Sequence, residues 1–69
     1  MNLKIDMDVD FYPIGGALHQ AQGVILGFDR EEGSGKRLVK IRATHGDGKG
    51  RNFFVYPSDI IRVLQLKKP

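Results

Sequence analysis

The stretch R-N-F-F-V-Y-P-S-D-I-I-R-V, residues 51–63, reads as a strand apolar on both faces, a one-turn break at the proline, and a closing strand. Successive side chains of a strand point to opposite faces, so Phe53 and Val55 fall on one face while Phe54 and Tyr56 fall on the other. A single small sheet has one interior. The second aromatic face is therefore left to meet a partner.

Upstream, H-G-D-G-K-G at 45–50 is a hairpin tip whose glycines supply positive backbone angles. Arg37 to Thr44 alternates as a strand, with Val39, Ile41 and Ala43 on one face and Leu38, Lys40 and Arg42 on the other. E-E-G-S-G-K at 31–36 turns the chain into it. Gln22 to Asp29 is a further strand, in which Gly23 and Gly27 predict a bulge or a close backbone approach. Tyr12 to Ala21, with Pro13, Gly15 and Gly16, is a loop. The first strand is read from the alternation of Leu3, Ile5, Met7, Val9 and Phe11 with Lys4, Asp6, Asp8 and Asp10. Downstream of the opening stretch, Pro57-Ser58-Asp59 forms one helical turn capped by Ser58 together with Asp59, and Ile61 to Leu66 is the last strand. No window supports a helix of ordinary length. The expectation is one all-β domain over residues 1–69.

A chain of 69 residues buries only about 60% of the surface its unfolded form exposes, which leaves oligomerisation a natural source of added stability. There is no cysteine, so disulfide stapling and thiolate metal sites are excluded. The start, M-N-L-K-I-D-M-D-V-D, has acids where a signal peptide needs an apolar run, and no stretch approaches the roughly 18 apolar residues of a membrane span. A cytoplasmic protein with no membrane partner is expected.

The net charge of +3 conceals an asymmetry. Residues 1–32 carry two basic and six acidic side chains, a net of −4, whereas residues 33–69 carry nine and two, a net of +7. Such a division either makes a bipolar surface that attracts its own kind or leaves a basic face for a polyanion. Lys36, Lys40 and Arg42 share one strand parity, Lys49 and Arg51 sit at the adjacent hairpin, and Lys67 and Lys68 lie near the end. Beside Phe54 and Tyr56 these cations would form a surface that holds phosphates and stacks bases. Nucleic acid or an acidic protein is thus the expected partner of Lys36, Lys40, Arg42, Lys49, Arg51, Phe54 and Tyr56. The same charges can instead pair across strands, and the same two rings can serve as contacts between subunits.

Catalytic and metal chemistry find little support. A calcium loop starting at Asp6 needs glycine at its sixth position, which is Phe11, and glutamate at its twelfth, which is Ala17. A solvated strand face accounts for Asp6, Asp8 and Asp10, and their charge would discourage edge pairing. His19 and His45 have no companion at ligand spacing. Ser34 and Ser58 lack the context of a nucleophile, and the glycine-rich segments have no following helix to cradle a phosphate. No catalytic residue, metal site or cofactor is expected.

Five short strands, a long first loop, two glycine-rich hairpins and a helical turn before the last strand together resemble the small Src-homology-3-like barrel over the whole chain. Within that shape, A-Q-G-V-I-L-G-F at 21–28 followed by V-Y-P-S-D-I-I-R-V at 55–63 is similar to the plasmid-borne type II dihydrofolate reductases. In that family four copies form a pore lined by a V-Q-I-Y strand, whose glutamine and tyrosine hold folate and the nicotinamide cofactor, with a lysine near the mouth. Here Phe53-Phe54-Val55-Tyr56 matches it, keeping a valine and the tyrosine but placing Phe54 at the glutamine, and the lysine position falls near Gly15. A site that must hydrogen-bond a pterin and attract two anions loses both means of doing so. The strand opening at Gly23 is also similar to KOW motifs of transcription and ribosomal proteins. The sequence thus points to a five-stranded barrel serving as a non-catalytic binding or assembly module, with homo-oligomerisation and protein interaction as alternatives to nucleic-acid binding.

Overall fold

The computed structural model describes residues 2–13, 20–46 and 48–64. Five strands, β1 (Asp8–Phe11), β2 (Ala21–Arg30), β3 (Arg37–His45), β4 (Asn52–Val55) and β5 (Ile60–Leu64), form one antiparallel sheet in the order β4-β3-β2-β1-β5. A 3-10 turn at Pro57–Asp59 joins β4 to β5. The all-β reading holds. Among the described residues no ladder joins the outermost strands β4 and β5, so the sheet is open rather than a closed barrel.

The sheet is nevertheless strongly curled. In a flat sheet β1 and β4, three strand spacings apart, would be about 14 Å from each other. Instead the rings of Phe11 and Phe53 lie 6.0 Å apart. One core fills the concave side: Val9, Phe11, Ala21, Ile25, Val39, Ile41, Ala43, Val55 and Ile60 are all buried, with Leu3, Met7, Phe53 and Val63 packed against them. The parity expected for β3 and β4 is the one observed, with Val39, Ile41, Ala43 and Val55 inside.

Both glycines of β2 have the roles anticipated. A Cβ on Gly23 would come within 2.6 Å of the Arg42 carbonyl oxygen and of Ile41 Cγ2, so only glycine allows this close approach of β2 and β3. Between Ile25 and Gly27 the register skips Leu26, a bulge that reverses the parity of the rest of the strand. Phe28 therefore lies opposite Val39 on the concave side, while Gly27 lies opposite Lys40 on the convex side. In the hairpin between β3 and β4, Gly46, Gly48 and Gly50 all have positive φ. The Phe53 ring covers Gly48 so closely that a Cβ there would meet it at 2.7 Å.

Three expectations need correction. The first strand does not begin at Leu3: residues 5 and 6 form a turn, Asp6 has φ of 74°, and Ile5 is exposed. Aspartate tolerates the left-handed region better than most side chains, so the apolar alternation is interrupted before Asp8. The Asp6 N–H still donates to the Ile25 carbonyl at 2.8 Å and the Ile25 N–H to that of Met7 at 3.0 Å, which keeps the segment alongside β2. Second, the row of aspartates does not guard an edge, because β1 lies between β2 and β5 and Asp10 accepts a 2.7 Å ion pair from Arg62. Third, Asp59 alone caps the 3-10 turn, its carboxylate accepting from the Tyr56 N–H at 3.2 Å. Ser58 is exposed within the turn. Of the expected loop, residues 14–19 lie outside the described residues, as do residues 65 and 66 of the expected last strand.

Candidate functional site

Directly opposite residues of neighbouring strands share a face, and on the convex face this brings cations beside aromatic rings. Lys40 lies opposite Phe54, with its ammonium 5.8 Å from the ring centroid. One row along, Arg42 lies opposite Asn52, and its Nε–H donates to Asn52 Oδ1 at 3.3 Å. In the other direction Tyr56, whose backbone is still extended, carries the Lys36 ammonium 5.6 Å from its ring. Cations at such distances are drawn to the face of an aromatic ring. Asn52, Phe54 and Tyr56 thus form one line, and Arg42, Lys40 and Lys36 form a second line beside it.

This face is open and positively charged. Phe54 is 53% exposed, too much for a core residue. Gly27 presents no side chain next to Lys40, and a Cβ there would meet nothing within 4 Å. Among the described residues the one ion pair is Arg62 with Asp10, so Lys36, Lys40 and Arg42 make none. Along the row of Arg42 the next charge is Asp8, beyond the apolar Val24. Part of the charge asymmetry of the sequence thus becomes spatial, with Asp8 and Asp10 on β1 and Lys40 and Arg42 on β3, while Asp29 of β2, opposite Leu38, puts one acid on the convex face.

At one end of the aromatic line Lys36, Arg37, Tyr56, Pro57 and Ser58 line a shallow, open depression. Glu31 secures this end. Its carboxylate accepts from Ser34 Oγ at 2.6 Å and from the Tyr56 hydroxyl at 2.7 Å, tying the β2–β3 hairpin to the end of β4. The hydrogen bond from Ser34, then that from Tyr56, hold the Glu31 carboxyl below its ordinary range against the opposing effect of desolvation, with the Lys36 charge adding a lesser lowering. The same bond to Glu31 raises the Tyr56 phenol above its usual value, with desolvation and the charges of Glu31 and Asp59 adding to it. A depressed carboxyl contributes stability that is present above its unfolded pKa and lost as pH falls through the folded one. A raised phenol contributes stability that is present below its unfolded pKa and lost as pH rises through the folded one. Tyr56→Phe should therefore reduce the dependence of the melting temperature on pH on both limbs, acid and alkaline, read by thermal denaturation across a pH series. Unaltered limbs would show that the Glu31 bond has no effect on stability.

The expected site residues are not all brought together. Lys36, Lys40, Arg42, Phe54 and Tyr56 share the convex face. Lys49 lies in the hairpin tip beyond it, and Arg51 has the parity of Phe53 and Val55, which directs it away from Phe54. Lys67 and Lys68 lie outside the described residues, as does His19. Two participants escaped the sequence reading. Asn52 was not singled out, and only the register with Arg42 gives it a role. Arg37 stacks 4.5 Å over the Phe28 ring on the opposite face, a pairing created by the Leu26 bulge. Among the described residues no group of three or more His, Asp or Glu side chains could hold a metal ion. No helix among them is long and apolar enough to cross a membrane.

No protein-family model matches this chain, and no curated protein or solved structure matches it either.

Proposed function

We propose that this chain is a non-catalytic β module, cytoplasmic in location, that binds single-stranded nucleic acid along the convex face of β3 and β4. The observation that carries this reading is the pairing of Lys40 with Phe54, flanked by Lys36 with Tyr56, on an exposed face where, among the described residues, neither lysine makes an ion pair. Aromatic rings give bases a stacking surface that tolerates any sequence, and the line of cations follows the phosphates. A duplex hides its base faces, so the preferred ligand is single-stranded. The resemblance to a small Src-homology-3-like barrel agrees with a binding role, although fold analogy alone assigns no function.

Fluorescence anisotropy with labelled single-stranded RNA, single-stranded DNA and duplex DNA tests the reading. Single strands should bind more tightly than duplex. If the lysines neutralise two or three phosphates, affinity should fall about 7- to 20-fold between roughly 50 and 200 mM salt. Absence of binding at low salt would overturn it. A second reading, self-association through β4, is favoured by the outer edge of that strand, which has no partner strand among the described residues, and by the exposure of Phe54. Concentration-dependent light scattering without nucleic-acid binding would select it.

A further inference from the structure

We infer that Arg42 and Asn52 form a base-reading position selecting guanine, next to two sequence-tolerant stacking positions on Phe54 and Tyr56. The inference rests on the single-strand reading above and adds to it a preference that charge and stacking alone do not create.

Asn52, Phe54 and Tyr56 occupy alternate positions of one extended segment, so neighbours on this line are about 6.6–6.8 Å apart. That is a step one extended nucleotide can span, and three consecutive bases can therefore meet three consecutive side chains. Two of the positions offer a ring. The third offers a polar pair whose hydrogen-bonding capacity is one-sided. The Arg42 Nε–H donates to Asn52 Oδ1, which links the guanidinium to β4. Among the described residues the two terminal nitrogens of Arg42 and the amide nitrogen of Asn52 have no protein acceptor, so they remain available as donors. One lone pair of the only side-chain acceptor in the pair is already used.

A surface of donors prefers a base edge made of acceptors. Guanine presents N7 and O6 side by side, the bidentate match to an arginine fork, whereas the same edge of adenine places a donor next to N7, and cytosine offers a donor at N4. Uracil and thymine present a single carbonyl on that edge. Val24, the neighbour of Arg42 on β2, can neither accept from the guanidinium nor compete for it. Asp8, two strands away in the same row, makes no ion pair with it.

The test uses oligonucleotides of one length, as RNA and as DNA, in which a single guanine, adenine or cytosine stands at either end of a short uridine or thymidine run, with the unsubstituted run as reference. At least one placement of guanine should bind about tenfold tighter than the corresponding adenine. Arg42→Lys should abolish the preference, because a point charge lacks the fork. Asn52→Ala should reduce it while leaving affinity for the unsubstituted run nearly unchanged. Phe54→Ala should weaken every ligand and leave the ratio intact. Arg42 and Asn52 are exposed, and their melting curves would confirm intact folds. Equal, salt-sensitive binding of all sequences would overturn the inference and leave the single-strand reading in place. A guanine preference that persists in Arg42→Lys would assign it to stacking and also overturn the inference. No binding of any strand would overturn both.

Discussion

Phe11→Ala should leave a substantial fraction of the protein unfolded at room temperature. Phe11 is fully buried and its ring meets Phe53 at 6.0 Å, linking β1 to β4 across the concave side of the sheet. Truncating a buried phenylalanine costs about 3–5 kcal/mol, the lost transfer energy plus a cavity that the surroundings fill only partly. A chain of 69 residues has a total stability of only about 3–10 kcal/mol. The loss is therefore comparable with the whole. Ile5→Ala, at a residue that is 57% exposed, should melt close to the parent protein. Urea denaturation followed by circular dichroism reads both variants. If Phe11→Ala and Ile5→Ala unfolded at similar midpoints, the curl of the sheet around Phe11 would not be what stabilises the fold.

Phe54→Ala should have the opposite profile, a near-parental melting curve with a large loss of binding. More than half of Phe54 is exposed, so its truncation opens no cavity. A stacked base contributes about 1–3 kcal/mol, and single-strand affinity should fall about 5- to 150-fold. The salt slope should stay nearly constant, since Lys36, Lys40 and Arg42 remain. Lys40→Ala should do the reverse, weakening binding by a smaller factor and flattening the slope by about 0.7 in logarithmic units. An equal loss from both variants, with both slopes unchanged, would mean that ring and ammonium act as one packing unit rather than as stacking platform and phosphate contact.

Much of this architecture was legible because period-two patterning survives in β3 and β4. Val39, Ile41, Ala43 and Val55 are buried and Lys40, Arg42 and Phe54 face outwards, as their alternation requires. The cation–aromatic face followed from two such strands lying side by side. What the pattern could not supply was register. The pairing of Arg42 with Asn52 depends on which residue lies opposite which, and that is set by the hairpin at 45–51, where three glycines with positive φ fix the geometry. The association of Phe28 with Arg37 needs the Leu26 bulge, which glycine content suggested without fixing its position. At the other end, the regular apolar alternation from Leu3 concealed a turn at Asp6, because hydrophobic period alone carries no information about a single left-handed residue. Strand order was also not readable from local pattern, and it is the placement of β1 between β2 and β5 that pairs Asp10 with Arg62 and leaves the basic strands on the far side.

The most direct measurement is a titration of the isotope-labelled protein with a short single-stranded oligonucleotide, following backbone amide resonances. If the convex face of β3 and β4 is the binding surface, the amides of Lys40, Arg42, Asn52, Phe54 and Tyr56 should shift together and saturate with one dissociation constant. Those of Asp10 in β1 and Arg62 in β5 should stay in place. Shifts concentrated on β1 and β5, or no shifts at millimolar oligonucleotide and low salt, would contradict the assignment of this face to nucleic acid.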